Sequence, residues 1–252
     1  MNNKCSAVII AKNEEITMEK CLQALNKITD DIILVLDNTS DDRTEEIARK
    51  SGASVFKKKW EGYSVNKKFG IDKAKNDWII WVDADEVIND ELASNILMLN
   101  PTSDKVYLMN RLTYMGNYPV KHCGWFPDWN IRLFNRKVMK WNDNYVHEKL
   151  ESNHHVIKEK LSGLIDHYSF RDEAHMKEKF ELYSKLRAEE WKKTAKTPNI
   201  VKKLFGPYFR FFRTYLLKGG FLDGKTGFII AKNEYHLKKN ELKYYYESKF
   251  TD

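Results

Sequence analysis

The sequence predicts an α/β fold: a mostly parallel central sheet flanked by helices, followed by a helical C-terminal extension. Three observations predict it. The first hundred residues alternate short apolar runs with segments of helical period. The longest apolar runs, such as Ile32–Leu36 and Trp78–Val82, are five residues long, which suits strands buried on both faces and falls far below the roughly 18 a membrane span needs. Beyond Arg171 the clearest patterns are helical.

The elements follow in order. Ala7–Ala11 reads as a first strand, and Asn13 with Glu14 opens a helix whose inward stripe is Ile16, Cys21, Leu22 and Leu25. Asp31–Leu36 is a second strand. Asp37–Thr44 supplies turn and cap chemistry for a short helix through Ile47 and Ala48 to Ser51-Gly52. Ser54–Phe56 is an edge strand, Val65–Lys75 a helix, and Trp78–Val82 a buried strand ending in Asp83-Ala84-Asp85-Glu86. Val106–Asn110 is a further strand, Gly116–Asp128 a long loop, and Ile131–Phe134 with Val138–Trp141 a hairpin. Arg171–Lys193 is a helix with Met176, Phe180, Tyr183 and Leu186 at three- and four-residue spacing. A last helix starts at Pro207, the favoured first helical position, and runs to Lys218 before Gly219-Gly220. The hexapeptide IIAKNE occurs at Ile9–Glu14 and again at Ile229–Glu234 in unrelated surroundings, so it is coincidence and no repeat.

Composition narrows the class. The hydrophobic and charged fractions, 42% and 31%, are those of an ordinary globular protein. Three cysteines without metal-ligand spacing read as reduced thiols, and the N-terminal residues lack a secretory pattern, so the expected compartment is the cytoplasm. The net charge of +7 is unevenly placed: Lys196 onward holds 12 Lys/Arg against 5 Asp/Glu, so the residues before it sum to zero. The same tail holds 13 of the 33 aromatic residues. In the expected last helix Tyr208, Phe212 and Tyr215 share one sector and Arg210 and Arg213 lie opposite, an amphipathic pattern suited to an anionic membrane surface or to packing on the catalytic domain or a second subunit.

The chemistry gathers at strand ends. Asp83 and Asp85 follow an apolar strand, and open α/β sheets bind ligands at that edge. Two carboxylates one residue apart suit a hard divalent cation shared with substrate phosphates, or a ribose; a solvated strand-end turn is the plainer reading. Ala11-Lys12-Asn13-Glu14 and Asp37 place further polar groups along the same edge. Arg132, between Ile131 and Leu133, is either a phosphate-binding cation or the partner of a buried carboxylate. Trp125, Phe126 and Trp129 read as core, with stacking on a sugar the alternative. His154, His155, His167 and His175 form no metal-site spacing.

IIAKNEE (9–15), VLDNTSDDRTEEIA (35–48), WEGYSVNKKFGIDKA (60–74) and DWIIWVDADE (77–86) together resemble the nucleotide-sugar domain of family-2 glycosyltransferases. GWFPDWNIRLFNR (124–136), VHEKL (146–150), DHYSF (166–170) and GGFLDGKTGF (219–228) resemble the subgroup of bacterial lipopolysaccharide-core glucosyltransferases. The resemblance implies a GT-A-type fold, Mg²⁺ or Mn²⁺, a UDP-sugar donor and inversion at the anomeric carbon. It places Ala11, Asn13, Glu14 and Asp37 at the uridine, Lys67 beside the donor phosphates, Asp83 at ribose or metal, and Asp85 on the metal; Arg132 joins the expected donor-binding residues on its own chemistry. Where the family carries a Ser-Gly-Ser type run, this chain has Asn38-Thr39-Ser40.

Inverting transfer needs a base for the acceptor hydroxyl, and the candidates are Glu148 and Asp128, with His147 beside Glu148 as a further metal ligand. In the plainer reading, His147 and Glu148 only tie the hairpin to its loop. The expected organisation is a catalytic domain over 1–168, with a nucleotide-sugar half 1–100 and an acceptor half 101–168, then a basic, aromatic-rich helical extension over 169–252. The expected activity is transfer of a hexose, glucose from UDP-glucose, to a lipid-linked saccharide such as the lipopolysaccharide inner core, by an enzyme peripheral on the inner face of the cell membrane. The same chemistry on a capsule, teichoic-acid-like or protein acceptor, and donor binding without turnover, are the alternatives. A nucleic-acid-binding protein, suggested by the basic tail, is the more distant alternative; no nucleic-acid partner is expected, because the first 195 residues are charge-balanced and no nucleic-acid motif is present.

Overall fold

The structure is a computed structural model that describes residues 5–142, 150–152, 154–194 and 200–247. Its chain divides into two compact units, Met1–Arg111 with Asp128–His167, and Leu112–Pro127 with Tyr168–Asp252. The sequence places its division at 168/169, whereas the second unit also takes in 112–127.

The first unit is built on strands β1 (Cys5–Ala11), β2 (Ile32–Asp37), β3 (Ser54–Lys58) and β4 (Trp78–Asp83), all parallel in the order β3-β2-β1-β4. Every residue of β1 and β2 is buried, as expected of strands covered on both faces. Alternate residues go to opposite layers. Ile9, Leu34, Ile80 and Val82 pack with Cys21, Leu22 and Leu25 of α1 (Met18–Asn26) and with Leu92 and Ile96 of α4 (Asp90–Met98). Val8, Val35, Ile79 and Trp81 pack on the other face with Phe69 and Ile71 of α3 (Tyr63–Lys73). Gly70 lets α3 press onto the sheet: a Cβ there would lie 2.6 Å from Val8 Cγ1 and 3.0 Å from Val35 Cγ2. The short helix α2 (Thr44–Lys50) follows β2.

Beyond β4 the sheet turns antiparallel. In the order β4-β8-β6-β11-β5 it adds β8 (Asp128–Asn135), β6 (Lys105–Met115), β11 (Ile157–Phe170) and β5 (Glu86–Ile88). Two registers matter for the site: Arg111 faces Asp128, and His167 faces Glu86.

The second unit holds the end of β6 paired with β7 (Tyr118–Pro119), α5 (Glu173–Lys193), α6 (Ile200–Phe212) and α7 (Gly224–Glu247). Its core contains Val120, Cys123, Phe170, Met176, Phe180 and Ile230. Asp172 caps α5 by accepting from the His175 N–H at 2.8 Å. Between α6 and α7 lie a π-helical turn, Arg213–Leu217, and a 3-10 turn, Gly220–Asp223. No helix among the described residues is long and apolar enough to cross a membrane.

Several expectations are corrected. Ile16 precedes α1 and is exposed, so the inward stripe begins at Met18. The hairpin is absent: β8 takes the distant strands β4 and β6 as its partners, and β9 (Lys140–Trp141) pairs instead with the next strand, β10 (Leu150–Glu151). The expected long loop contains β7. Pro207 lies inside α6 instead of at its start. Tyr183 and Leu186 face solvent. IIAKNE is strand and turn at its first occurrence and helix at its second.

Gly70→Ala is expected to lower the unfolding free energy by about 1–3 kcal/mol, the cost of overpacking a close helix–sheet contact. A urea titration monitored by tryptophan fluorescence would show the midpoint fall, and an unchanged midpoint would contradict the close approach.

Candidate active site

The C-terminal ends of the parallel strands bring the loops after β1 and β2 together. Asn13 adopts a left-handed backbone, φ 54°, a conformation its residue type tolerates. Its N–H donates to Ser40 Oγ at 3.0 Å, its Nδ2 donates to Asp41 Oδ1 at 2.9 Å, and its Oδ1 accepts from Ser40 Oγ and the Asp41 N–H. Asp42 accepts from the N–H groups of Glu15 and Thr44 at 2.9 Å each. Glu14 donates its N–H to Thr44 Oγ1 at 2.8 Å. Asp37 is buried, and its Oδ1 accepts from both the N–H and the hydroxyl of Thr39, at 2.8 and 2.7 Å. Asn38-Thr39-Ser40 therefore closes without a glycine, since the Asp37 side chain makes the turn. Burial opposes the charge on Asp37, yet the Thr39 bonds and Lys12 hold its carboxyl below the usual range. Asp42 is held low in the same way by Thr44, Glu15 and Ser40 against its burial.

At the end of β4 the carboxylates are organised by Glu86. Its side chain is fully buried, and Oε2 accepts the Asp83 N–H at 2.9 Å. Oε1 accepts from Arg132 Nη2 at 2.5 Å and Arg111 Nη1 at 3.3 Å. Burial pushes the Glu86 carboxyl up, and the two guanidiniums oppose it. Arg132 Nη2 also lies 3.7 Å from Asp83 Oδ2, and its guanidinium stacks 4.5 Å from the Trp81 ring. Arg132 Nε and Nη1 are buried without hydrogen-bond partners among the described residues. Arg111 continues the chain, with Nε and Nη2 on Asp128 Oδ2 at 2.8 and 2.7 Å, while Asn130 Nδ2 donates to Asp128 Oδ1 at 3.0 Å. Asp85 Oδ2 lies 3.4 Å from His167 Nε2.

Lys67, buried on α3, sets its ammonium 3.7 Å from the Trp81 ring centroid and 4.4 Å from that of Trp141. Ala11 ends β1 as a buried residue at the same edge. The structure therefore brings Ala11, Asn13, Glu14, Asp37, Lys67, Asp83, Asp85, Asp128 and Arg132 into one unit. His147 and Glu148 lie outside the described residues. Trp125 packs on Phe170 in the second unit, and Trp129 lies under Lys160 Nζ at 4.6 Å.

Glu86, Arg111 and His167 were not assigned a role by sequence reasoning. Glu86 adjoins the DxD pair, but only the β5–β11 and β6–β8 registers reveal what it binds. No group of three or more His, Cys, Asp or Glu side chains among the described residues is set to hold a cation on its own. Asp83 and Asp85 still offer hard carboxylate oxygens at one strand end, the donor type that suits Mg²⁺ or Mn²⁺ when substrate oxygens complete the shell, and His167 lies beside Asp85.

A parallel sheet with these carboxylates at its C-terminal edge and helices on both faces is the layout of a GT-A-type glycosyltransferase. Residues 6–161 match the family model for glycosyl transferase family 2, and the chain belongs to that family. It is 29% identical over 245 residues to an uncharacterized glycosyltransferase of Rickettsia typhi, covering 90% of this chain and 81% of that one. It is 28% identical over 241 residues to the lipopolysaccharide core biosynthesis glycosyltransferase LpsC of Rhizobium meliloti, covering 90% and 86%. Among solved structures, S. aureus TarS 1-349 in complex with UDP aligns with TM-score 0.43 and 13% identity, covering 97% of this chain and 92% of that one.

The low-lying carboxyls of Asp37 and Asp42 give stability a pH dependence of known sign. The unfolded chain takes up protons first as pH falls, so their contribution is full above the ordinary carboxylate range and is lost as pH falls below it. Asp42→Asn is expected to flatten this acid limb in denaturant titrations run from neutral to acidic pH. An acid limb as steep as that of wild type would contradict the hydrogen bonding at Asp42.

Proposed function

We propose that this glycosyltransferase moves a hexose, glucose from UDP-glucose, with inversion onto a hydroxyl of a lipid-linked saccharide such as the lipopolysaccharide inner core, working peripherally on the inner face of the cell membrane. The observation that carries the reading is the Asp83/Asp85 pair at the end of β4, on the same sheet edge as Asp37 and the 11–14 loop. The likeness to LpsC over nine-tenths of the chain supports the acceptor class.

In this reading Asn13, Glu14 and Asp37 line the uridine, and the locked 13–15 and 40–44 loops hold that pocket in shape before the donor arrives. Lys67 and Arg132, both set against the Trp81 ring, supply positive charge for the leaving diphosphate, and the Arg132 donors without partners among the described residues answer to its oxygens. Asp83 and Asp85 would hold Mg²⁺ or Mn²⁺, which when bound neutralises charge on the departing UDP. The base removes the acceptor hydroxyl proton as that oxygen bonds to the anomeric carbon and the carbon–oxygen bond to UDP breaks. Asp128 already accepts from Arg111 and Asn130, whose donors compete for the lone pairs a base needs. That engagement favours Glu148 as the base, with Asp128 as an anchor for Arg111.

Mass spectrometry of a panel of nucleotide sugars incubated with the enzyme and a lipopolysaccharide-core acceptor should show UDP-glucose consumed only with divalent cation. Asp85→Ala should abolish this turnover, and Glu148→Gln should lower kcat by about 10²–10⁴-fold while leaving UDP affinity unchanged. Full activity of Asp85→Ala, or of wild type in excess chelator, would overturn the metal assignment. A kcat loss confined to Asp128→Asn would move the base to that residue.

A further inference from the structure

We infer that the second unit carries a docking ledge for an anionic lipid bilayer, formed by the end of α6, the π-helical turn and the 3-10 turn. It rests on the lipid-linked acceptor proposed above for its role, while its test uses neither acceptor nor sugar donor.

The ledge differs from the helix face that the sequence suggests. Arg210 is tied to Glu234 at 2.5 Å, and Tyr208 packs edge-on against Tyr235. Tyr215 contacts Phe211, Phe221 and Phe228, so it belongs to an aromatic floor. What projects from this floor keeps Phe212 of the expected face and adds its neighbours: Phe209, Phe212, Leu216, Leu217, Phe221 and Leu222 are each 47–63% exposed, and Tyr208 keeps its outer side exposed as well. The two turns are held side by side by Gly220, where a Cβ would meet the Thr214 carbonyl oxygen at 2.7 Å and Tyr215 Cα at 3.1 Å. The large apolar side chains are therefore presented to solvent by a fixed backbone, and an exposed apolar surface of this kind marks an interaction site.

Charge selects the occupant. Between Trp191 and Asn233 the sequence contains a single acidic residue, Asp223. That carboxylate is buried, accepting from the His122 N–H at 2.8 Å and lying 2.9 Å from His122 Nδ1, so it contributes no negative surface. Arg213, Lys218 and Lys225 are exposed beside the apolar side chains. Apolar groups rimmed by cations and free of exposed acid match a bilayer of anionic headgroups over acyl chains. A second copy of the chain fits poorly, because a two-fold contact would set the same cations against one another.

Flotation with phosphatidylcholine vesicles containing phosphatidylglycerol, against vesicles of phosphatidylcholine alone, tests the ledge. Wild type is expected to float with the anionic vesicles. Arg213→Glu/Lys218→Glu is expected to lose partitioning by about fivefold or more per cation removed, and Leu217→Ser/Phe221→Ser to lose it comparably. All these positions are exposed, and an unchanged melting temperature confirms that each variant folds. Equal flotation of wild type and both variants, or equal binding to the two vesicle types, would overturn the ledge. Self-association abolished by Leu217→Ser/Phe221→Ser, without vesicle binding by wild type, would assign the surface to a second copy and overturn it too. Calorimetric UDP binding should persist in both variants; its absence in wild type with flotation intact would instead remove the proposed function and leave the ledge standing.

Discussion

Glu86 accepts hydrogen bonds from two guanidiniums and one backbone N–H at a place closed to solvent. Neither Arg132 nor the carboxylate is tolerable there alone, because a buried charge without its partner costs about 3–5 kcal/mol. Together they form a cross-braced unit: Glu86 fixes the backbone at Asp83, Arg132 reaches Asp83 and lies against Trp81, and Arg111 carries the connection across the β6–β8 register to Asp128. The strand-end carboxylates thus hang from an ion-pair network that begins one residue after them. This is a positioning role, distinct from the metal contact proposed for Asp85.

The parallel half of the sheet needs less support. Its strand ends meet through backbone and short polar side chains: Asp37 closes the turn after β2, and Asn13, Asp42 and Thr44 join that loop to the one after β1. Loops tied to each other in this way keep their shape at the edge of a buried sheet. The second unit follows a different logic. Its aromatic residues are divided between a packed floor and an exposed ledge, and the positive excess of the whole chain falls in the same stretch of sequence.

How much was legible in the sequence follows from what each feature depends on. The strands β1, β2 and β4 and the helix α5 were visible because burial and periodicity are local properties of the chain. Asp37, Asp83 and Asp85 were visible because they follow apolar runs directly. The partners of Arg132 were open between phosphate and carboxylate, since the sequence contains no measure of distance between β8 and β5. Arg111 gave no signal at all, because its meaning arises only from facing Asp128 across two strands. The hairpin at 131–141 failed for the same reason: pairing is decided by the whole sheet. IIAKNE makes the point directly, since one hexapeptide is strand and turn beside β2 and helix in α7.

The central claim is that Glu86 sets the strand-end carboxylates for a cation shared with the donor. Calorimetry of UDP binding to Glu86→Gln, with and without Mn²⁺, at a temperature where the variant remains folded, tests it most directly. The account predicts that the metal-free affinity survives, being set by the loops after β1 and β2, while the gain in affinity on adding Mn²⁺ is lost. A Mn²⁺-dependent gain equal to that of wild type would contradict it.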